Sequence, residues 1–193
     1  LKPLIPRYCR VNRIVRDIPS DNVVAGSKRT SLRQDIQREL RSRGQECSCI
    51  RCREVRREKV DPDALAVGDL VYPAGGAEEH FISYVSPGDR LAGYLRLSLP
   101  GDTSPETGLA DLQGAALIRE VHIYGQSLEV GSEQEGAAQH IGLGSDLVAR
   151  AEKTAADRGF RRMAVISALG TRAYYRRLGY NDGELYMTRE IAA

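Results

Sequence analysis

The sequence predicts a layered α+β or α/β fold, built on a mixed, mostly antiparallel sheet and preceded by a basic helical segment. Three observations predict it. β signals recur at regular spacing from Leu65 to Pro100, each ended by a Pro/Gly-rich turn. A single strand–helix–strand pattern follows between Ala115 and Ser167, the signature of one parallel crossover. The composition also shifts from Arg-rich to mixed near Val60-Asp61-Pro62, which places a domain boundary there, with 1–60 and 61–193 on either side. Apolar residues at 41% and charged residues at 28% support a packed core and exclude wholesale disorder.

Leu4 to Ile18 alternates loosely and reads as a strand or an extended crossing segment. Ser31 to Arg43 reads as a helix, with Ser31 as N-cap, a Leu32/Ile36/Leu40 stripe and Gly44 as the stop. Strands follow at 67–72, 80–85 and 91–99, separated by Pro73-Ala74-Gly75-Gly76 and Ser86-Pro87-Gly88-Asp89. Ala115 to Tyr124 is the next strand, and 101–113 is a polar, turn-rich connection. A helix over 145–158 carries Leu147, Val148, Ala151 and Ala155 on one face and ends at Gly159. A short buried strand (162–167), a short helix (171–178) stopped by Gly179 and a last strand (185–191) complete the chain.

Charge is unevenly distributed. Residues 1–60 carry 16 Lys and Arg against 7 Asp and Glu, while 61–193 carry 12 against 19. An arginine-dominated excess confined to one segment is the electrostatic footprint of a polyanion-binding surface, because the planar guanidinium matches phosphate. No apolar run approaches the roughly 20 residues of a membrane span. The reading is therefore of a cytoplasmic protein without a membrane partner. The first residues, Leu1 to Arg7, fit neither a signal peptide nor an initiator start and read as a cut inside a longer protein.

Cys47, Cys49 and Cys52 place three thiols within six residues, and Cys9 is the only other cysteine. Nothing points to secretion, so disulfides are not expected. Tetrahedral zinc wants four ligands, and the thiolate count is met if Cys9 returns to the cluster; His80, His122, His140 or water are the alternative fourth ligands. A structural zinc site follows from this reading.

Gln139-His140-Ile141-Gly142-Leu143-Gly144-Ser145 opens the 145–158 helix. Glycines at a helix start let backbone approach an anion while first-turn N–H groups point at it. On its own the turn reads equally as a helix start or a phosphate cradle.

The element order resembles the GNAT acetyltransferases, in which a Q/R-x-x-G-x-G/A turn holds the pyrophosphate of acetyl-CoA; Gln139, Gly142 and Gly144 match it. Several runs together resemble one family more closely. They are Arg16-Asp17-Ile18-Pro19, Arg119-Glu120-Val121-His122-Ile123-Tyr124-Gly125, the Gln139–Gly144 turn, Ala164-Val165-Ile166-Ser167 and Gly170-Thr171-Arg172-x-Tyr174-Tyr175-Arg176. That family is the catalytic subunit of Elongator, the tRNA wobble-uridine modifying acetyltransferases, and the cysteine cluster resembles its bacterial and archaeal members.

The resemblance implies tRNA and acetyl-CoA as partners, with other Elongator subunits only in a eukaryotic setting. It also implies an acetyl group destined for carboxymethylation at carbon 5 of uridine 34, with acetyl-CoA hydrolysis coupled to tRNA binding. Full-length members add a radical-SAM module with S-adenosylmethionine and a 4Fe-4S cluster; the Cys47/Cys49/Cys52 spacing is not that cluster motif. By this resemblance 1–60 is the end of the radical-SAM module and 61–193 the acetyltransferase domain. Glu120, Val121, His122 and Ile123 are expected along the pantetheine arm. Gln139, Gly142, Leu143, Gly144 and Ser145 are expected at the pyrophosphate. Tyr175 is the expected CoA contact and thiolate acid, with Tyr174 as runner-up and His122 as a third candidate for catalysis. A lysine N-acetyltransferase and a non-catalytic RNA-binding module are the alternatives in other classes.

Overall fold

A computed structural model describes residues 1–14, 19–26, 28, 31–56, 58, 60–124 and 142–192. The chain separates into two compact units, Leu1–Glu54 and Val55–Ala193. The composition shift near residue 60 therefore lies six residues past the structural division, and Val55 and Val60 are buried in the core of the second unit.

In the first unit, α1 (Leu32–Ser42) forms where the Leu32/Ile36/Leu40 stripe predicts a helix. Arg33, on its first turn, donates to the carbonyls of Val11 (2.8 Å) and Asn12 (3.2 Å). The described part of 4–18 forms no strand; a 3-10 turn at Lys2–Leu4 opens it. A one-turn helix, α2 (Ile50–Arg53), carries the last cysteine of the cluster.

The second unit is a seven-stranded sheet in the order β1-β2-β3-β4-β5-β7-β6. β1 (Ala66–Ala74), β2 (Ala77–Val85), β3 (Leu91–Pro100) and β4 (Ala115–Ile123) form an antiparallel meander. β5 (Arg162–Val165) runs parallel to β4, the one crossover that the sequence predicts, and β6 (Asn181–Asp182) and β7 (Met187–Glu190) close the far edge. The two-residue β6 escapes sequence reading because it is too short to show a period. Pro73 is tolerated in β1 because β1 is an edge strand, where one face of the ladder needs no donor.

α3 (Leu143–Asp157) crosses from β4 to β5 and packs on β2, β3 and β4. All four stripe residues, Leu147, Val148, Ala151 and Ala155, are buried, joined by Leu143. They meet Leu95, Leu97, Ala116 and Ile118 in the main core. Burial of each large side chain contributes about 1.5–3 kcal/mol. Leu147→Ala is therefore expected to lower the unfolding free energy by about 2–5 kcal/mol, read as a lower urea midpoint at unchanged m-value. Among the described residues, no helix is long and apolar enough to cross a membrane.

Candidate active site

A bulge in β4 sets up the site. Ile118 pairs with Leu97 and Glu120 with Arg96, so Arg119 is the extra residue. Past it, the peptide groups that face each neighbour exchange parity. Tyr124 N donates to Ala92 O at 2.8 Å, toward β3, so the N–H groups of Val121 and Ile123 point to the opposite edge. β5 pairs with β4 only from Ala115 to Ile118 and ends at Val165. The two strands thus part, and Val121 and Ile123 face an edge with no strand partner among the described residues. Free N–H donors in a cleft are what a polarised thioester carbonyl and its pantetheine amides need.

The glycine turn stands above this cleft. Gly142 caps α3 in the left-handed region, φ 74°, a conformation that favours glycine. The helical ladder begins with Asp146 N to Gly142 O (3.0 Å), which leaves the N–H groups of Leu143, Gly144 and Ser145 without helical acceptors. Ser145 Oγ is turned back onto Gly142 O at 2.7 Å. The start of α3 therefore presents three backbone N–H groups without helical acceptors, at the turn that the sequence reads as a helix start or a phosphate cradle. Gln139 and His140 lie outside the described residues.

Gly144, Ile123 and Tyr174 converge. A Cβ at position 144 would lie 3.0 Å from the Tyr174 hydroxyl and 3.7 Å from Ile123 Cγ1. Tyr174 sits on α4 (Arg172–Arg177), and its hydroxyl is buried with no hydrogen-bond partner among the described residues. Burial raises its pKa above the ordinary tyrosine value, with Arg177 opposing. Its neighbour Tyr175 turns the other way, into the core, edge-on to Tyr180 at 5.7 Å, and burial pushes its pKa up to about 12. The placement reverses the order in which the sequence ranks these two tyrosines: Tyr174 meets the glycine turn and Tyr175 packs. On a helix adjacent side chains point about 100° apart, so only one of them reaches the cleft.

Glu120 and His122 share the sheet face away from α3. Glu120 accepts from Tyr94 OH (2.8 Å) and Arg96 Nε (2.7 Å), and His122 Nε2 lies 2.8 Å from its Oε1. Burial opposes ionisation of Glu120, but the bonds from Tyr94 and Arg96 outweigh it and hold its carboxyl below the usual range. The half-exposed His122 ring stacks on Tyr94 at 5.3 Å. Sequence reading misses Tyr94 and Arg96; an arginine inside the apolar run of β3 was the available signal.

In the first unit the Sγ atoms of Cys47, Cys49 and Cys52 all lie within 4.8 Å of one another. Cys49 is fully buried. Burial works to raise its pKa, and hydrogen bonds from the Cys52 and Val11 backbone outweigh it, so the thiol sits below the ordinary cysteine value. Burial pushes Cys47 up to about 11. Three converging thiols, one of them biased toward thiolate, fit a soft metal ion. Cys9 is drawn alongside through its carbonyl, which accepts from Ile50 N at 2.9 Å, but its thiol does not join the three within that distance. Of the histidine alternatives, His80 is held between Asp69 (2.7 Å) and Glu78 (2.9 Å), and His122 is on Glu120.

Part of the arginine excess is structural. Arg33 and Arg51 both hold the Asn12 carbonyl, and Arg53 is buried. Arg38, Arg41 and Arg43, along the exposed side of α1, remain at the surface.

Comparison with known proteins agrees with this geometry. The tRNA uridine(34) acetyltransferase of Dehalococcoides mccartyi is 40% identical over 195 residues, an alignment that covers 99% of this chain and 42% of that protein. Elongator complex protein 3 of Danio rerio is 37% identical, covering 97% of this chain and 35% of the relative. The archaeal Methanocaldococcus infernus Elp3 with an N-terminal deletion superposes with a TM-score of 0.84 at 32% identity, over 98% of this chain and 46% of that one. The chain thus spans less than half the length of these relatives. Residues 53–180, which hold the bulged strand, the glycine turn and Tyr174, match the Acetyltransferase (GNAT) family; the chain belongs to that family.

Proposed function

We propose that this chain is the acetyl-CoA-binding part of a tRNA-modifying acetyltransferase that supplies the acetyl group for carbon 5 of the wobble uridine. The observation that carries the reading is the convergence of Gly144, Ile123 and the orphaned Tyr174 hydroxyl beside a β4 edge with free N–H donors. The relatives' names supply the tRNA and the uridine.

Acetyl-CoA fits the residues present: Leu143, Gly144 and Ser145 N–H groups would take the pyrophosphate, and Val121 and Ile123 the pantetheine arm. When bound, acetyl-CoA supplies the activated acetyl thioester. Tyr174 is placed to give its proton to the departing thiolate, and Glu120–His122 forms a polar pair on the other face of the strand, where a water or acceptor would be oriented. Cys47, Cys49 and Cys52 would hold a structural zinc, with a fourth ligand from Cys9, another residue or water. The exposed arginines of α1 belong to a tRNA-facing surface formed by the basic first part of the chain. The chain's first part is thereby read as the end of a radical-SAM module, and its second as the acetyltransferase domain.

Calorimetric titration with acetyl-CoA tests the cleft, and no heat overturns it. Thiol release with and without tRNA tests the acceptor: acceleration by tRNA is expected, whereas acceleration by a lysine peptide alone replaces the tRNA reading with a protein N-acetyltransferase. Tyr174→Phe is expected to slow thiol release on the order of 10²-fold, with acetyl-CoA affinity kept within about twofold. The acid form of Tyr174 is the active one and its pKa is raised above 10.0. The hydroxyl therefore stays protonated as pH rises through neutrality, and wild-type turnover should show no Tyr174-dependent fall below pH 10. A pH–rate profile of both proteins checks this.

A further inference from the structure

A second cavity, of about 690 Å³, lies in the acetyltransferase unit at the start of β4. Its walls are the β1–β2 turn, the end of β3 and the 101–114 connection. It is a formed cavity. The β1–β2 turn packs on the connection beside it: a Cβ at Gly76 would meet Thr103 C and O at 2.6 Å. The size falls in the range of small-molecule sites, about 300–1,000 Å³.

Its floor is polar. Glu79, Ser98 and Leu117 stand in one cross-strand row, and all three line the cavity. The bulge turns Arg119 to this same sheet face as Glu120. Arg119 thereby lines the cavity while Glu120 belongs to the Tyr94/Arg96/His122 network. Glu79 is 2% exposed, and its buried Oε2 accepts no hydrogen bond from the described residues. Arg119 Nη1 stands 3.0 Å from that oxygen, at ion-pair distance without hydrogen-bond alignment, with half of the Arg119 side chain exposed.

We propose that this cavity is a second binding site, separate from the acetyl-CoA cleft, for a neutral small molecule carrying an N–H beside a C=O, as in a lactam or cyclic imide. Glu79 and Arg119 cancel each other's charge, which favours a neutral ligand over an ion. Oε2, ion-paired but without an aligned hydrogen bond, has room for a donor, and the half-exposed guanidinium offers N–H groups to an acceptor one bond away. Leu109, Leu112, Leu117 and Pro100 provide an apolar wall for the remainder of the molecule.

The test is saturation-transfer NMR on the 193-residue chain with 2-phenylglutarimide and its N-methyl derivative as paired probes. The expected result is transfer to the imide, at least about fivefold weaker transfer to the N-methyl probe, and no loss of the imide signal at saturating acetyl-CoA. Equal transfer to both probes, or displacement by acetyl-CoA, overturns the proposal. Ser98→Leu, which fills the floor, is expected to abolish imide transfer, and unchanged transfer in a folded Ser98→Leu protein overturns it equally. The two-probe comparison on the wild-type chain keeps the proposal testable if that variant fails to fold.

Discussion

Gly144→Trp is expected to weaken acetyl-CoA binding at least about 100-fold, or about 2.8 kcal/mol, measured by calorimetric titration with far-UV circular dichroism as the fold control. The reason is local. A Cβ at 144 already comes within 3.0 Å of the Tyr174 hydroxyl and 3.7 Å of Ile123. An indole there projects into the space between the helix start and the parted strands, where the proposed site would have pantetheine turn toward the pyrophosphate. Gly144→Ala provides the graded control. Its single carbon meets the free end of a side chain, which gives by a few tenths of an ångström, so affinity should change by only a few-fold. Alanine also favours the helix by about 1 kcal/mol over glycine, so thermal stability is not expected to fall. Wild-type affinity in the tryptophan variant would place the diphosphate elsewhere.

Cys49→Ser is expected to release about one zinc per chain and to unfold Leu1–Glu54, while acetyl-CoA affinity in Val55–Ala193 persists. Structural zinc contributes roughly 10–16 kcal/mol in small metal-folded modules. That is at least as large as the 5–15 kcal/mol by which whole domains are stable. Without metal, the variant leaves a buried hydroxyl beside two thiols, in a unit whose only long helix among the described residues, α1, has no buried residue. Elemental analysis with limited proteolysis reads both effects. Iron in place of zinc, or a protease-resistant first unit after metal loss, would count against the zinc reading.

The elements with a repeating signal were legible in the sequence. Leu147, Val148, Ala151 and Ala155 repeat at helical spacing, and all four are buried on one face of α3. The meander of β1 to β4 and the parallel return of β5 were legible from apolar runs bounded by Pro- and Gly-rich turns. Other features have no period to read. α2 is one turn, and β6 is two residues. The bulge at Arg119 adds a residue inside an uninterrupted run, and nothing in Leu117-Ile118-Arg119-Glu120-Val121 marks which residue is extra. The choice between Tyr174 and Tyr175 depends on how a six-residue helix is rotated against the sheet. That is set by tertiary contacts of Tyr175 with Tyr180, not by the local sequence. Gln139 and His140, the first residues of the predicted turn, stay without a structural account. The distance of the Cys9 thiol from the other three was not legible either, because it depends on where distant segments meet.

The extra residue at position 119 makes β4 sensitive to register in a way that its side chains are not. Most substitutions in 119–123 leave the backbone N–H groups of Val121 and Ile123 aimed into the cleft, because those groups belong to every residue but proline. If the bulge were ironed out, with Arg119 opposite Arg96 and Glu120 opposite Leu95, every later residue would shift by one place. Those N–H groups would turn toward β3, and the carboxylate of Glu120 would turn from Tyr94 and Arg96 to the α3 side of the sheet. In this strand the chemistry is written by counting residues more than by naming them. The register across the bulge is the property that drift in this segment must preserve.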